Sequence, residues 1–405
     1  MKILMLGWEL PPYNSGGLGV ACLQLCKALS KRSSIDIEFI VPYRERHDNI
    51  DFMRVSSATP QGVAHIMRSG TVYSSYKYVR EDGTEEWLNI YDQQALYEQA
   101  VVSMIKSRQF DIVHAHDWLT FRAAMRVKEK RGVPVILHVH SVEADRAGVI
   151  GGGNAMVREI EGLSMLLADR VIAVSQHTKN CIIREYGIPP DKIEVVHNSI
   201  EPSDAVTSTG ENVYHYLDTM KAHGYRVVVN VGRLTIMKGL PSLLRAAKEV
   251  VYRAPKTLFL IVGSGEQYYE LIELAADLGI GANVLFTEFQ RGKRWRDAFA
   301  IGDLFVMPSV SEPFGLTALE AVGYGNTPAL VTKQSGVSEV LRNCLKVDNW
   351  DIDELANQIT AVVQHDPLRD NLIANARREY EKLSWHDASE KIERLYGQHL
   401  AGAAA

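Results

Sequence analysis

The chain has 405 residues, 46% of them apolar and 23% charged, with a formal net charge of −5 at pH 7. That length holds roughly two to three domains with ample core, in the composition of an ordinary globular protein. The weak negative balance gives no reason to expect nucleic acid or an anionic membrane as partner, and no apolar run approaches the ~20 residues of a membrane span.

The opening Met1-Lys2-Ile3-Leu4-Met5-Leu6-Gly7 lacks a signal-peptide cleavage site and reads as a first strand, so the cytoplasm is the expected compartment. Short β-branched runs then alternate with amphipathic helical segments, the mark of parallel α/β units. In the first half, strands are expected near 2–7, 35–41, 111–115, 134–139, 170–174 and 193–196, and helices near 18–31, 92–107, 118–130, 155–167 and 176–185. The loop Trp8 to Gly19 is too long for a G-x-G-x-x-G turn, and the second strand ends in Pro42-Tyr43 rather than an acid for a ribose. A nicotinamide site is therefore disfavoured. Gly16, Gly17 and Gly19 are instead expected to turn backbone amides toward a ligand at the carboxyl ends of the strands. Cys22 and Cys26, four apart on one helix face, read as core, and none of the four cysteines has C-x-x-C spacing.

The segment from about 50 to 91, rich in Tyr, Ser and Thr, breaks the rhythm and is expected to hold antiparallel hairpin strands. Asp117-Trp118 at a strand end offers a carboxylate and an aromatic face that suit a pyranose, and the segment Tyr73 to Tyr91 is expected to extend that surface. Arg122, Arg126, Lys128, Lys130 and Arg131 read as a solvated helix face rather than a membrane-binding one. His138 and His140 share a strand face, but no third ligand of matching spacing is evident, and no metal is expected. Glu143, Asp145 and Arg146 follow in a loop carrying Gly148, Gly151, Gly152 and Gly153.

Polar text around 201–222 is the candidate linker, which divides the chain into a first domain, 1–203, and a second, 204–384. Strands follow near 226–231, 257–262, 283–287, 303–307 and 328–331, then helices near 351–365, 367–383 and 385–400, the last expected to cross back onto the first domain. The terminal Ala-Gly-Ala-Ala-Ala reads as a frayed end. The fold expected is two doubly wound domains facing a central cleft. Arg233 and Lys238 bracket a strand-to-helix loop, where a phosphate meets cations and free amides together. Gly263 begins another loop on the same rim. In Glu312-Pro313-Phe314-Gly315-Leu316-Thr317-Ala318-Leu319-Glu320, Gly315 admits a close ligand, and Leu316 opens a helix whose free amides favour an anion. Glu320 lies about 7–8 Å beyond Gly315 at 1.5 Å per residue, so its carboxylate and that of Glu312 suit the two ends of a nucleotide sugar. Asp351-Ile352-Asp353 spells D-x-D at a helix start, where capping accounts for it.

These segments in this order resemble the retaining glycosyltransferases of GT-B architecture, most closely glycosyltransferase family 4 and, within it, the glycogen and starch synthases. Asp111 to Trp118, Ala173-Val174-Ser175, Val195 to Asn198 and Lys333 to Val340 extend the resemblance over nearly the whole chain. It implies that the first domain holds the acceptor and the second the donor. Glu312 would meet the donor sugar's hydroxyls, Glu320 the nucleotide ribose, and Arg233 and Lys238 the diphosphate. His140 would stand near the reacting centre, and Asp117, Trp118 and Asp145 near the acceptor. The reaction implied is transfer of glucose from UDP- or ADP-glucose to a carbohydrate, an α-glucan among the candidates, with retained configuration and no cofactor or metal. The leaving phosphate oxygen would take the acceptor's proton. A lipid or small-metabolite acceptor, an epimerase and a phosphorylase are the alternatives on the same fold. Oligomeric state is left open. One departure from the family pattern is an extra residue in Gly323 to Pro328.

Overall fold

The computed structural model describes residues 1–403 except 15, 33, 45, 61, 69–75, 149–150 and 202–210. Tyr73 and the greater part of the candidate linker, with the 203/204 boundary, lie outside the described residues. The chain forms two compact units: Met1–Glu143 with Gly153–Ser199 and Trp385–Ala405, and Ala144–Gly152 with Ile200–Ser384.

The first unit is built on a seven-stranded sheet of order β10-β9-β8-β7-β1-β2-β3, every pair parallel. Its strands are β1 (Lys2–Leu6), β2 (Asp36–Val41), β3 (Arg54–Ser57), β7 (Ile112–His116), β8 (Val135–Val139), β9 (Arg170–Ala173) and β10 (Ile193–Val195). The strands β4 (Val63–Arg68), β5 (Tyr76–Arg80) and β6 (Glu85–Leu88) make the expected antiparallel sheet. β3 instead joins the main sheet beside β2, pairing Glu38 with Arg54 and Val41 with Ser57. β7 and β8 are buried at all five positions each, as strands covered on both faces must be. Helix Ile90–Met104 begins two residues earlier than the periodicity indicates, because the Asn89 side chain caps the amides of Tyr91 and Asp92. The terminal helix Trp385–Ala403 packs on helix Gly17–Ser30, and Glu393 accepts from Arg32 and, at 2.6 Å, from Ser34 Oγ.

The second unit carries a six-stranded parallel sheet of order β13-β12-β11-β14-β15-β16. The strands are β11 (Arg226–Val231), β12 (Thr257–Val262), β13 (Val284–Thr287), β14 (Leu304–Met307), β15 (Ala329–Thr332) and β16 (Leu345–Val347). Helix Leu240–Arg253 has Pro at its start and lays Leu243, Leu244, Ala247 and Val250 on one face, against Val228, Phe259 and Ile261 of the sheet. A short helix, Tyr216–Ala222, forms where the polar text reads as linker; buried Leu217 anchors it. Asp351 caps helix Ile352–Gln364 by accepting from the Glu354 amide at 2.9 Å, as the capping reading requires. Both units are Rossmann-like: a parallel sheet whose strand order reverses at an internal strand, with helices filling the crossovers.

Candidate active site

Three loops at the carboxyl ends of adjacent strands nest against one another in the second unit. After β11, the Leu234 amide donates to Ser264 O at 3.0 Å, and the Val310 amide after β14 donates to Met237 O at 2.8 Å. The backbones approach so closely that side chains are excluded. A Cβ on Gly263, at φ +152°, would stand 1.8 Å from Gly232 O, and one on Gly239, at φ +66°, 2.1 Å from Pro308 O. The glycines therefore set the depth of the rim on which Arg233 and Lys238 stand.

The Glu312 loop is fastened on its other side to the loop after β15. Glu312 N donates to Gln334 O at 2.9 Å, Gly336 N to Glu312 O at 3.0 Å, and Val337 N to Phe314 O at 2.6 Å. Glu312 is buried, with its Oε2 taking Lys238 Nζ at 2.5 Å and Ser309 Oγ at 3.1 Å. Arg233 is half-buried, and no hydrogen bond or ion pair to its guanidinium exists among the described residues. One cation of the pair is thus neutralised by a carboxylate, while the other stands ready for an external anion. Gly315, at φ +100°, turns the chain into helix Leu316–Glu320. Glu320 at its end is half-buried, and burial pushes its carboxyl up to about 8. The helix continues as a π turn over Ala321–Gly325, closed by Asn326 at φ +51°. A π turn absorbs one inserted residue, which accounts for the added length of the Gly323–Pro328 segment without disturbing Glu312 or Glu320.

Asp145 belongs to the same unit and is buried. Ser311 Oγ, one residue before Glu312, donates to its Oδ1 at 2.6 Å. Ser309 and Ser311 are polar contacts that the sequence reading missed; both flank Glu312 in the motif's own loop.

In the first unit, the carboxyl ends of β7 and β8 carry four imidazoles. His114 Nε2 lies 3.2 Å from His138 Nδ1, and His116 Nδ1 lies 3.0 Å from His140 Nε2. His114 Nδ1 also meets Tyr396 OH at 2.6 Å, and His116 Nε2 meets Met5 Sδ at 3.5 Å. The sequence reading found only His138 and His140. The missing pair, His114-Ala115-His116, repeats the same period-two spacing on the neighbouring strand, with His116 in register with His138. Burial drives all four well below the usual imidazole range, His114 and His140 to about 3. His140 is therefore neutral at pH 7 and acts as a hydrogen-bonding group rather than a cation.

Asp117 sits at φ +58°, rare for a residue with a side chain, and its Oδ1 accepts from the amides of His140 at 2.6 Å and Ser141 at 3.3 Å. That carboxylate positions the loop after β8. Trp118 corrects the sequence reading outright: it is 2% exposed, packed against Tyr91, and presents no face to a sugar. Among the glycines of the first loop, Gly16 and Gly17 are exposed, whereas the Gly19 amide points at Glu9 Oε1, 3.4 Å away. The basic helix face is tied into ion pairs: Arg122 and Arg126 with Glu98, and Lys128 with Asp169. No helix among the described residues is long and apolar enough to cross a membrane.

Two family models match the chain, "Glycosyltransferase Family 4" over residues 15–204 and "Glycosyl transferases group 1" over residues 218–379. An uncharacterized glycosyltransferase of Methanocaldococcus jannaschii is 27% identical over 98% of each chain. The D-inositol 3-phosphate glycosyltransferase of Rhodococcus jostii is 30% identical over 71% of this chain and 66% of its own. Among solved structures, sucrose-phosphate synthase from Thermosynechococcus elongatus superposes with a TM-score of 0.77 at 18% identity, over 99% of both chains. Anabaena HepE in complex with UDP-glucose gives 0.73 at 18% identity, over 98% of this chain and all of that one. The two matched domains, lying on two Rossmann-like units, identify the chain as a glycosyltransferase of the GT-B architecture.

Proposed function

We propose that this enzyme transfers glucose from UDP- or ADP-glucose to a carbohydrate hydroxyl with retention of configuration and without a metal ion. The observation that carries the reading is the half-buried Arg233, without a partner among the described residues, beside the Lys238–Glu312 pair on one glycine-set rim. Arg233 and Lys238 hold the diphosphate and stabilise the charge that grows on it as the glycosidic bond breaks. Gly263, Gly315 and Leu316 bring backbone against the same phosphates. Glu312 accepts from the sugar hydroxyls and Glu320 from the ribose. The acceptor hydroxyl attacks from the leaving-group face, its proton passing to the departing phosphate oxygen. That route needs no pair of carboxylates across the bond, unlike glycoside hydrolysis. Neutral His140, fixed through Asp117, hydrogen-bonds near the reacting carbon.

For the acceptor, the buried Trp118 weakens the α-glucan reading, because it removes the platform on which a glucan ring would stack. The activity for which the inositol-phosphate relatives are named favours a small polyol or sugar phosphate. The test is release of nucleoside diphosphate from a panel of nucleotide sugars, followed by transfer of labelled glucose. Maltooligosaccharides, inositol and sugar phosphates, and anionic lipid vesicles are offered side by side. Label in a phosphorylated small acceptor is expected. Label only in the lipid would overturn the acceptor assignment, and an epimer or sugar phosphate as sole product would overturn the transferase reading.

A further inference from the structure

Three side chains at the carboxyl ends of β7 and β8 form a cluster that the proposed transfer chemistry does not use as such. Cys22 on helix Gly17–Ser30, His116 at the end of β7 and His140 just past β8 each offer one ligand atom, and the three atoms lie within 4.8 Å of one another. We propose that Cys22, His116 and His140 form a site for a thiophilic divalent ion of the zinc class, and that occupancy inhibits transfer by withdrawing His140 from the donor sugar. The inhibitory half rests on the placement of His140 at the reacting centre; the binding half does not.

The ligand set is right for such an ion, since one thiolate and two neutral imidazoles make a three-residue zinc site with the fourth position open. Bond lengths of about 2.0–2.1 Å to nitrogen and about 2.3 Å to sulfur put tetrahedral ligand atoms about 3.3–3.6 Å apart. The cluster thus needs side-chain shifts of only about an ångström. His116 Nδ1 and His140 Nε2 already stand 3.0 Å apart.

The electrostatics also favour a cation. One carboxylate, Asp117, directly follows His116 in the chain, and its Oδ1 accepts from the His140 amide at 2.6 Å, beside two of the three ligands. A divalent ion exchanges bound water for the three ligands and sends the thiol proton to solvent. The resulting unit of net positive charge then faces that carboxylate. A rival trio, His114, His116 and His138, also brings its nitrogens within 4.8 Å, but all three side chains are sealed from solvent and bring no anion. There the full charge of the ion would stay uncompensated in the core. His140, by contrast, is half-buried and opens the first cluster to solvent.

The experiment titrates the chelator-treated protein with Co²⁺ as a spectroscopic probe, then with Zn²⁺ while transfer is assayed. One equivalent of Co²⁺ should produce a tetrahedral spectrum with a near-ultraviolet thiolate charge-transfer band. Zn²⁺ should inhibit. Cys22→Ala should lose the band and weaken both binding and inhibition more than about 100-fold, since even outer-shell partners cost about 10–100-fold. Its basal transfer rate should remain, and circular dichroism checks its fold. Should Cys22→Ala fail to fold, protection of Cys22 from alkylation by Zn²⁺ in the natural chain reads the same ligation. A tetrahedral spectrum without the thiolate band, or one unchanged in Cys22→Ala, would overturn the site. A Cys22-dependent band with undiminished transfer would overturn the inhibition, and would do so without touching the transferase reading.

Discussion

Glu320 is the residue whose role is most open to quantitative test. Burial holds its carboxyl at about 8 rather than 4.5, so in the free enzyme it is mostly protonated at neutral pH. A ribose offers two hydroxyl donors, which the ionised form accepts and the protonated form accepts less well. If only the carboxylate binds, apparent donor affinity falls by a factor of 1 + 10^(8−pH), with 8 the free enzyme's value. The loss is then about 2-fold at pH 8 and about 11-fold at pH 7, close to 1.4 kcal/mol per pH unit below that. The ligand to use is UDP-glucose, whose diphosphate has no secondary ionisation in this window. Calorimetry in buffers of differing ionisation enthalpy should show release of about 0.9 proton per donor bound at pH 7. The sign for the free protein runs the other way. Glu320 is neutral folded and ionised unfolded between 4.5 and 8, so its contribution is present below 4.5 and lost as pH rises to about 8. Glu320→Gln should flatten both profiles. A pH-independent affinity in the natural enzyme, or the same slope in Glu320→Gln, would remove Glu320 from the ribose.

Arg233→Ala and Lys238→Ala should each lower transfer on the order of 10²-fold at saturating donor, as loss of a preorganised charge contact does; near-natural turnover in both would move the phosphate site elsewhere. Gly263→Ala should destabilise the second unit by more than about 3 kcal/mol in denaturant unfolding, because its Cβ would collide with Gly232 O. Gly16→Ala, whose Cβ meets nothing within 4 Å, should stay within about 0.5 kcal/mol, so equal effects at the two positions would refute the nested-loop account. Transfer should survive excess EDTA. Loss of activity restored by magnesium or manganese would instead make a metal part of the reaction.

Strands that are fully buried and β-branched, such as Val227-Val228-Val229 and Leu258-Phe259-Leu260, were legible because burial on both faces forces a continuous apolar run. β3 and β16 were not, being four and three residues long and mostly half-buried, so neither a run nor an alternation forms. Helix Tyr216–Ala222 escaped for a related reason: a single buried leucine in polar text produces no periodicity. At the candidate site, the loop that carries Glu312 and the loop that carries Arg233 and Lys238 were visible as motif, because glycine spacing and charge survive in one dimension. What sequence could not supply was registration between elements. Asp117 and Trp118 looked alike as exposed strand-end groups, yet one spends its carboxylate on the His140 amide and the other is core. The histidines make the same point more sharply. Two H-x-H pairs 24 residues apart become one array only when β7 lies beside β8 with His116 opposite His138. That pairing turns two unremarkable strand ends into a buried, uncharged set of imidazoles. Its half-buried end is His140. A group held neutral by burial and positioned through a carboxylate on its backbone amide can donate or accept a hydrogen bond without bringing charge. In the function we propose, the stabilising positive charge comes instead from Arg233 and Lys238, where negative charge accumulates on the diphosphate.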